Sequence, residues 1–520
     1  MRNIYLLITF ISLIGTLPAQ VVTKGVAILN GGRFGNNTEN AHLIWHTPSD
    51  GNFQTLDTIQ TQSIQDIIVN GHLAYVAAQD SIVVYDMANG TRMAANTFGA
   101  PSTISMALWE DYLIVGNWFA PFGWVGPYEN HLRIFDRHTL AFVDSIPEIK
   151  RGAKDLAVIG DTLYVSQNLN SSAFTDSAGW VAKVYLPTLT YADSVVVNSN
   201  QEDVGRLFVK DDMLFSLNGG SNTVSQYDPM TGMASTDTAN ANLNTGSYTD
   251  TWAMDENGTF YAILDGKIGT YDPVSRSVVN GNLVDTAIVS FALDSISDRI
   301  YLTQTDFNTY TGGQVWAADG SGKLDTLFTG SAPEAIQVMY NTLPVANNDT
   351  ATTNSNTSVK IALTDNDIDP DPNNVFSVSV LVDVTKGSTQ VSNDTLIYTP
   401  DLLSWISSGF DSVQYEIADA WGDKDTAWAF INVSSFIGTE ELLAEGYNLF
   451  PNPSNGQLRI QQKEAQPFSV QLMNLQGQTL QHGETRMGTI DWNLNRLPTG
   501  IYLVQIDGPS GRVVTRWQKQ

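Results

Sequence analysis

Residues Val224–Gly232 read V-S-Q-Y-D-P-M-T-G, a short alternating strand that runs into Tyr227-Asp228-Pro229-Met230-Thr231-Gly232. Each position has a physical job. The tyrosine closes a buried strand, the Asp and Thr side chains bond the turn backbone, proline presets φ, and glycine tolerates a positive φ. A second strand then returns, so the unit is a hairpin. Variants stand at Val84-Tyr85-Asp86-Met87-Ala88-Asn89-Gly90, Ile134-Phe135-Asp136-Arg137-His138-Thr139 and Thr270-Tyr271-Asp272-Pro273-Val274-Ser275. A unit recurring every 40–50 residues or so marks a repeat fold, in which each unit buries its face only against its neighbours.

Working outward, the apolar runs Val26–Leu29, Ala74–Ala78, Leu113–Val115, Leu163–Ser166, Leu214–Leu217, Phe260–Leu264 and Ile300–Thr303 read as the second strands of successive units. All but the first follow a strand and a tight turn. The strand missing at the start stands alone at the end, Ala335-Ile336-Gln337-Val338-Met339. The geometry that uses it closes a ring in which the last strand completes the first blade. The expectation is an all-β protein opening with a seven-bladed β-propeller over residues 22–342; six or eight blades is the alternative count.

Bulk properties agree. A chain of 520 residues exceeds one ordinary core, and 41 glycines with 10% aromatics suit many strands and turns. The net charge of −28 argues against nucleic-acid binding, which needs a basic footprint. No cysteine is present, which excludes disulfides, thiol nucleophiles and cysteine-ligated metals, and also a lipidated N-terminal cysteine. Residues 1–19 read as a signal peptide: Arg2, an apolar run over Ile4–Leu17, then Pro18-Ala19. No later segment is apolar enough to span a bilayer.

Chemistry-bearing constellations are sparse. The six histidines His42, His46, His72, His131, His138 and His482 show no metal-ligand spacing, and His46 and His138 are placed in turns. No nucleophile, base and orienter are evident, so an enzyme is not the expectation. The connections between second and third strands are more informative. They are minimal in blades 2 and 6 (Gln79-Asp80, Asp265-Gly266) and long in blades 1, 3, 4 and 7. The long ones carry Arg33, Phe34, Trp118, Phe119, Phe122, Trp124, Tyr128, Phe174, Trp180, Phe307 and Tyr310. Such loops emerge on one face of a propeller, and aromatics displayed there suit a ligand site; the alternative is that Trp118–Tyr128 packs as a satellite core under its own loop.

The repeats resemble propellers of the YVTN/YncE-like superfamily, and Val26-Ala27-Ile28-Leu29-Asn30-Gly31-Gly32-Arg33-Phe34-Gly35 is similar to the opening of a branch that includes corrinoid-binding surface proteins. That resemblance implies a surface binder of a corrinoid or another scarce nutrient. Here Gly32-Arg33 replaces the branch's usual Gly-Asn.

Residues 343–435 form a second domain. Asp365-Asn366-Asp367-Ile368-Asp369-Pro370-Asp371, Leu396-Ile397-Tyr398-Thr399-Pro400 and Asp411–Asp419 resemble bacterial cadherin-like or Ig-like modules. The resemblance implies Ca2+ on Asp365, Asp367, Asp369, Asp371 and Asp419, or else a turn-forming role; Asp371-Pro372-Asn373 departs from the family's Asp-Gly-Asp. Residues 447–520 carry Asn448-Leu449-Phe450-Pro451-Asn452-Pro453-Ser454-Asn455-Gly456, Val470–Gln478 and Leu497-Pro498-Thr499-Gly500-Ile501-Tyr502. These resemble the C-terminal sorting domain of type IX secretion cargo, a small β-sandwich. The resemblance implies the type IX machinery as partner, export through the periplasm of a Gram-negative bacterium, and release or surface attachment.

Asp followed by Ser or Thr and a small or aliphatic residue also recurs, at Asp57-Thr58-Ile59, Asp144-Ser145-Ile146, Asp161-Thr162-Leu163, Asp193-Ser194-Val195 and Asp325-Thr326-Leu327. It is similar to an O-glycosylation sequon of bacteria using this route, and equally to ordinary turn-to-strand chemistry. Together these readings predict a secreted or surface-attached binding protein without catalysis, or an adhesion or matrix protein whose propeller is a protein-binding disc.

Overall fold

The computed structural model describes residues 19–32, 39–79, 81–97, 103–117, 130–168, 179–198, 204–243, 251–284, 288–305, 313–319, 322–405, 408–435, 439–509 and 511–520. The signal-peptide stretch lies outside these, except for Ala19. Two compact units result: Gln20–Thr342 with Pro370–Asn374, and Leu343–Asp369 with Val375–Gln520.

The repeat turns form as their side chains dictate. Asp228 Oδ1 accepts the Met230 N–H at 2.8 Å and Oδ2 accepts the Thr231 hydroxyl at 2.7 Å, while Gly232 takes φ +73°. Asp136 with Thr139 and Asp272 with Ser275 repeat the device at 2.7 and 2.6 Å. These hydrogen bonds hold all three carboxylates below the ordinary aspartate range.

Among the described residues the first unit holds seven four-stranded antiparallel sheets. Blade 1 pairs Pro333–Thr342 with Val21–Asn30, then Ala41–Thr47 and Asn52–Ile59; blades 2 to 7 span 66–97, 103–145, 152–198, 206–238, 252–284 and 290–330. The register Val26↔Val338 and Ile28↔Ile336 joins the two ends of the repeat region. The innermost strand of blade 1 borders those of both blade 2 and blade 7, so the sheets close a ring: a seven-bladed β-propeller. Apolar clusters form between successive sheets, as where Phe208 of blade 5 stacks on Phe260 of blade 6 at 4.4 Å.

Two sequence patterns prove to be halves of one latch. In blade 1, the register shifts immediately before Asp57 on the outermost strand, and Asp57 Oδ1 accepts the N–H of Thr58 at 2.7 Å. Its Oδ2 receives the hydroxyl of Tyr85, the repeat tyrosine of blade 2, at 2.8 Å and Arg92 Nε at 2.6 Å. The Tyr85 hydroxyl is strongly resistant to ionisation, because burial and the Asp57 carboxylate both oppose a phenolate. Asp144-Ser145 and Asp325-Thr326 repeat the bulge and the local bond. At Asp57, Asp144 and Asp325 the Asp-Ser/Thr pair thus has a structural use in the blade edge.

In the second unit, Asp349–Asn354, Lys424–Ser434, Gly409–Ala418 and Ser377–Val382 make a four-stranded sheet over a three-stranded one, with Trp405, Tyr398 and Tyr415 fully buried between them. The Tyr415 hydroxyl donates to Leu363 O at 2.9 Å and Asn347 O at 2.8 Å, and Trp405 Nε1 donates to Lys386 O at 2.8 Å. The buried polar tips of Tyr415 and Trp405 are therefore paired. The C-terminal part is again two sheets, around Tyr447, Val470, Val504 and Trp517. The Phe450–Ser454 segment clamps the last strand: Trp517 Nε1 donates to Pro451 O at 3.1 Å, Gln518 N–H to Asn452 Oδ1 at 2.8 Å, and Asn452 Nδ2 to Arg516 O at 2.7 Å. Lys519 Nζ, buried, binds the carbonyls of Leu494, Asn495 and Leu497.

Candidate functional site

In an antiparallel meander, the connection between the second and third strands and the exit to the next blade leave at the same end of the sheet. That end is the long-loop face. Of the eleven loop residues singled out in the sequence, ten (Arg33, Phe34, Trp118, Phe119, Phe122, Trp124, Tyr128, Phe174, Phe307 and Tyr310) lie outside the described residues. Trp180 is described. It opens the third strand of blade 4, half-buried, with the Arg151 guanidinium carbon 5.7 Å from its ring centroid. A cation over the indole face is a favourable arrangement.

The floor beneath these loops is polar, and sequence reading missed it. The last residues of two second strands, Asn117 in blade 3 and Asn218 in blade 5, are both fully buried. Asn218 Oδ1 accepts the Gly205 N–H at 3.0 Å and the Ser216 hydroxyl at 2.5 Å, and its Nδ2 donates to Thr223 at 3.1 Å and Ser225 at 2.9 Å. The Asn117 amide makes no hydrogen bond among the described residues, nor does the Ser105 hydroxyl on the inner strand beside it. The buried His131 ring takes up the Asn117 carbonyl through Nδ1 at 2.8 Å. Burial drives its pKa down to about 4, so His131 is neutral at physiological pH.

Acids on the inner strands tie neighbouring blades. Asp66 accepts the Met106 N–H and Asp155 the Leu207 N–H, at 2.8 and 2.7 Å. Asp155 is nearly enclosed, and burial raises its pKa against the pull of Arg206, whose Nη1 is 3.8 Å away. Glu334 accepts the Ile64 N–H at 2.7 Å and the Ser63 hydroxyl at 3.5 Å, and burial pushes its pKa up to about 8. No sequence period marks these acids, since their partners lie one blade away.

The remaining sequence candidates are dispersed. His46 was expected in a turn; it is buried within the strand Ala41–Thr47, because its ring stacks on Phe53 at 4.3 Å, and burial lowers its pKa. Asp371 belongs to the propeller unit, where it accepts the Thr342 N–H and hydroxyl, each at 2.7 Å. Asp367 accepts the Asn347 N–H at 2.6 Å; burial, helped by the fields of Asp349 and Asp425, raises its pKa to about 6. Asp419 bonds the Asp423 N–H at 2.9 Å. Asp365 acts on Asp349 through its charge, and Asp369 stands beside the Val345–Ile368 bridge. Among the described residues no three His, Asp or Glu side chains are set to hold a metal ion.

Comparison with known proteins assigns the C-terminal third. Residues 448–520 match the model of the secretion system C-terminal sorting domain. The tail is a type IX sorting domain. Residues 341–432 match the bacterial Ig domain. No curated protein matches the chain. Among solved structures, a Bacteroides fragilis protein assigned as a 6-phosphogluconolactonase is 11% identical, with 61% of this chain and 98% of that one covered and a TM-score of 0.43. The WD40 repeats of RRP9 are 12% identical, with 54% and 85% covered and a TM-score of 0.40. The sorting domain makes this a protein delivered to the cell surface or beyond it, and no helix of the described residues is long and apolar enough to cross a membrane.

Proposed function

We propose that the protein is a non-catalytic binding protein of the cell exterior, and that the long-loop face of the propeller is its ligand site. The observation that carries this reading is the unequal loop lengths on one end of a rigid ring. The strands of blades 2 and 6 are joined there by two residues, whereas those of blades 1, 3, 4 and 7 are joined by long, aromatic-rich segments. A rigid scaffold with variable loops concentrated on one face is how binding groups are displayed. Supporting it, the amide of Asn117 and the hydroxyl of Ser105, without partners among the described residues, lie at the foot of the longest of these loops, and in blade 4 the Arg151 guanidinium sits over the Trp180 ring. Buried polar groups without partners cost about 1–3 kcal/mol each, which a bound ligand or water can offset.

The opening Val26–Gly35 motif makes a corrinoid the first ligand to try, a flat ring system with polar edges that matches aromatic loops. Calorimetric titration of the mature protein with a corrinoid is expected to show one site per chain, weakened by Trp118→Ala or Trp124→Ala. Absence of heat at high corrinoid concentration removes that ligand; a protein-binding disc, tested by capture of surface proteins, then becomes the leading reading of the same face.

A further inference from the structure

The four-stranded sheet of the Ig-like module has one face in the core and one directed away from it. Along Lys424–Ser434, Ala427, Ala429, Ile431 and Val433 are buried, so Trp428, Phe430 and Asn432 take the opposite face. Along Gly409–Ala418, Val413, Tyr415 and Ile417 are buried, and Phe410, Ser412 and Gln414 share the outward face. Pairing sets Gln414 opposite Trp428, Ser412 opposite Phe430, and Phe410 opposite Asn432. On the other side, Thr350 stands opposite Phe430 and Thr352 opposite Asn432. Every ring therefore has an amide or hydroxyl beside it on the next strand, about 5 Å away. The Trp428 and Phe430 rings are nearly parallel, 19° apart with centroids at 6.4 Å, and Phe410 is 72% exposed.

A single exposed aromatic is ordinary. Three on adjacent strands, interleaved with free polar groups, form a patch with a definite chemistry. Among the described residues the side chains of Ser412, Gln414, Asn432, Thr350 and Thr352 have no hydrogen bonds within the protein. The patch is also uncharged: the Glu416 carboxylate takes up Lys424 Nζ at 2.8 Å and lies 3.5 Å from the Ser379 hydroxyl. An apolar protein surface laid on this face would strand the amides and hydroxyls, at about 1–3 kcal/mol each. A polyanion would meet no free cation here and a chain of net charge −28. A sugar ring fits both features. Its C–H face carries slight positive charge that suits the negative face of an aromatic ring, and its rim of hydroxyls donates and accepts.

We infer that this face is a platform for a neutral polysaccharide, with sugar rings stacked on Phe410, Trp428 and Phe430 and their hydroxyls bonded by Ser412, Gln414 and Asn432. The platform is independent of the propeller site. The test is affinity electrophoresis of the mature full-length protein in gels containing hydroxyethyl cellulose, barley β-glucan or galactomannan, with alginate as the anionic comparison. At least one neutral polymer retards the protein and alginate does not. Retardation weakens about tenfold in Trp428→Ala and in Phe410→Ala, and is retained in Trp180→Ala. Phe410 is far outside the core, so its variant keeps the wild-type unfolding temperature. No retardation by any of the three neutral polymers overturns the inference, as does retardation that survives the Trp428→Ala/Phe410→Ala double variant. Loss of retardation only in Trp180→Ala overturns it too and transfers the sugar to the propeller. A dimer seen by light scattering that Phe410→Ala dissociates, without retardation, assigns the face to a second copy of the chain instead.

Discussion

Asn218 in blade 5 and Asn117 in blade 3 occupy the same place, the end of the second strand under the long-loop face, and both are fully buried. Their surroundings differ. Blade 5 turns back quickly, from Asn218 to Thr223, and its own Ser216, Thr223 and Ser225 close around the amide. Blade 3 departs on its long connection instead, and the amide of Asn117 is left without a partner among the described residues. The third strand of blade 3 still returns opposite Asn117, where His131 bonds its backbone. The positions that hold Ser216, Thr223 and Ser225 in blade 5, however, hold Val115, His131 and Arg133 here, and none of these bonds the amide. The same contrast holds for carboxylates at the blade seams. Asp155 has Arg206 beside it; Glu334 has one backbone N–H and one hydroxyl.

The largest expected effect breaks the contrast at the seams. Glu334 titrates near 8 when folded, against about 4.5 when unfolded. Below the lower value both states hold the proton; between the two only the folded state does, so this part of the stability is lost as pH rises from about 4.5 to 8. The shift corresponds to a loss on the order of 4–5 kcal/mol. Denaturant unfolding of wild type and Glu334→Gln across that range is expected to show the variant gaining on wild type as pH rises. Parallel curves would mean that Glu334 is ionised without penalty.

Next comes Asn218→Ala. It leaves the Gly205 N–H and the Ser216 hydroxyl unpaired in a buried cage and takes one of the two partners of the Ser225 hydroxyl, which keeps Thr236, and is expected to cost about 3 kcal/mol of propeller stability in the same assay. The smallest effect sharpens the comparison. Asn117→Ala removes an amide that has no bond to lose among the described residues, so stability is expected to change by less than about 1 kcal/mol without ligand. A cost equal to that of Asn218→Ala would show that Asn117 is paired in solution and that the two blades are alike.

Much of the fold was legible because its determinants are local. The Asp228–Thr231 bonds span three residues, so the turn that punctuates blades 2, 3, 5 and 6 can be read from four letters. Ring closure was legible for another reason. A strand without a hairpin partner at Ala335–Met339 and a hairpin lacking its first strand at Val26–Leu29 complete one another, and they pair in that register. The site was less legible. The Asp-Ser/Thr pairs were visible, but the tie of Asp57 to the repeat tyrosine Tyr85 was not, because the two belong to different blades and no short period connects them. The Asp365–Asp371 run read as one cluster, yet Asp371 bonds Thr342, and the carboxylates whose fields act on Asp367 are Asp349 and Asp425.

By itself the sequence determined the all-β class, the repeating blade, the closure of the ring, the Ig-like module and the sorting tail. Strand alternation and turn chemistry act over two to four residues, and the tail's Asn-Pro and Gly signals are equally local. Tertiary structure alone decided which buried groups are paired, which carboxylates are pushed toward the protonated form, and which aromatic residues share an outward face. Those properties depend on desolvation and on partners supplied by other strands and other blades, and a linear pattern carries no record of which distant residue arrives beside a given side chain.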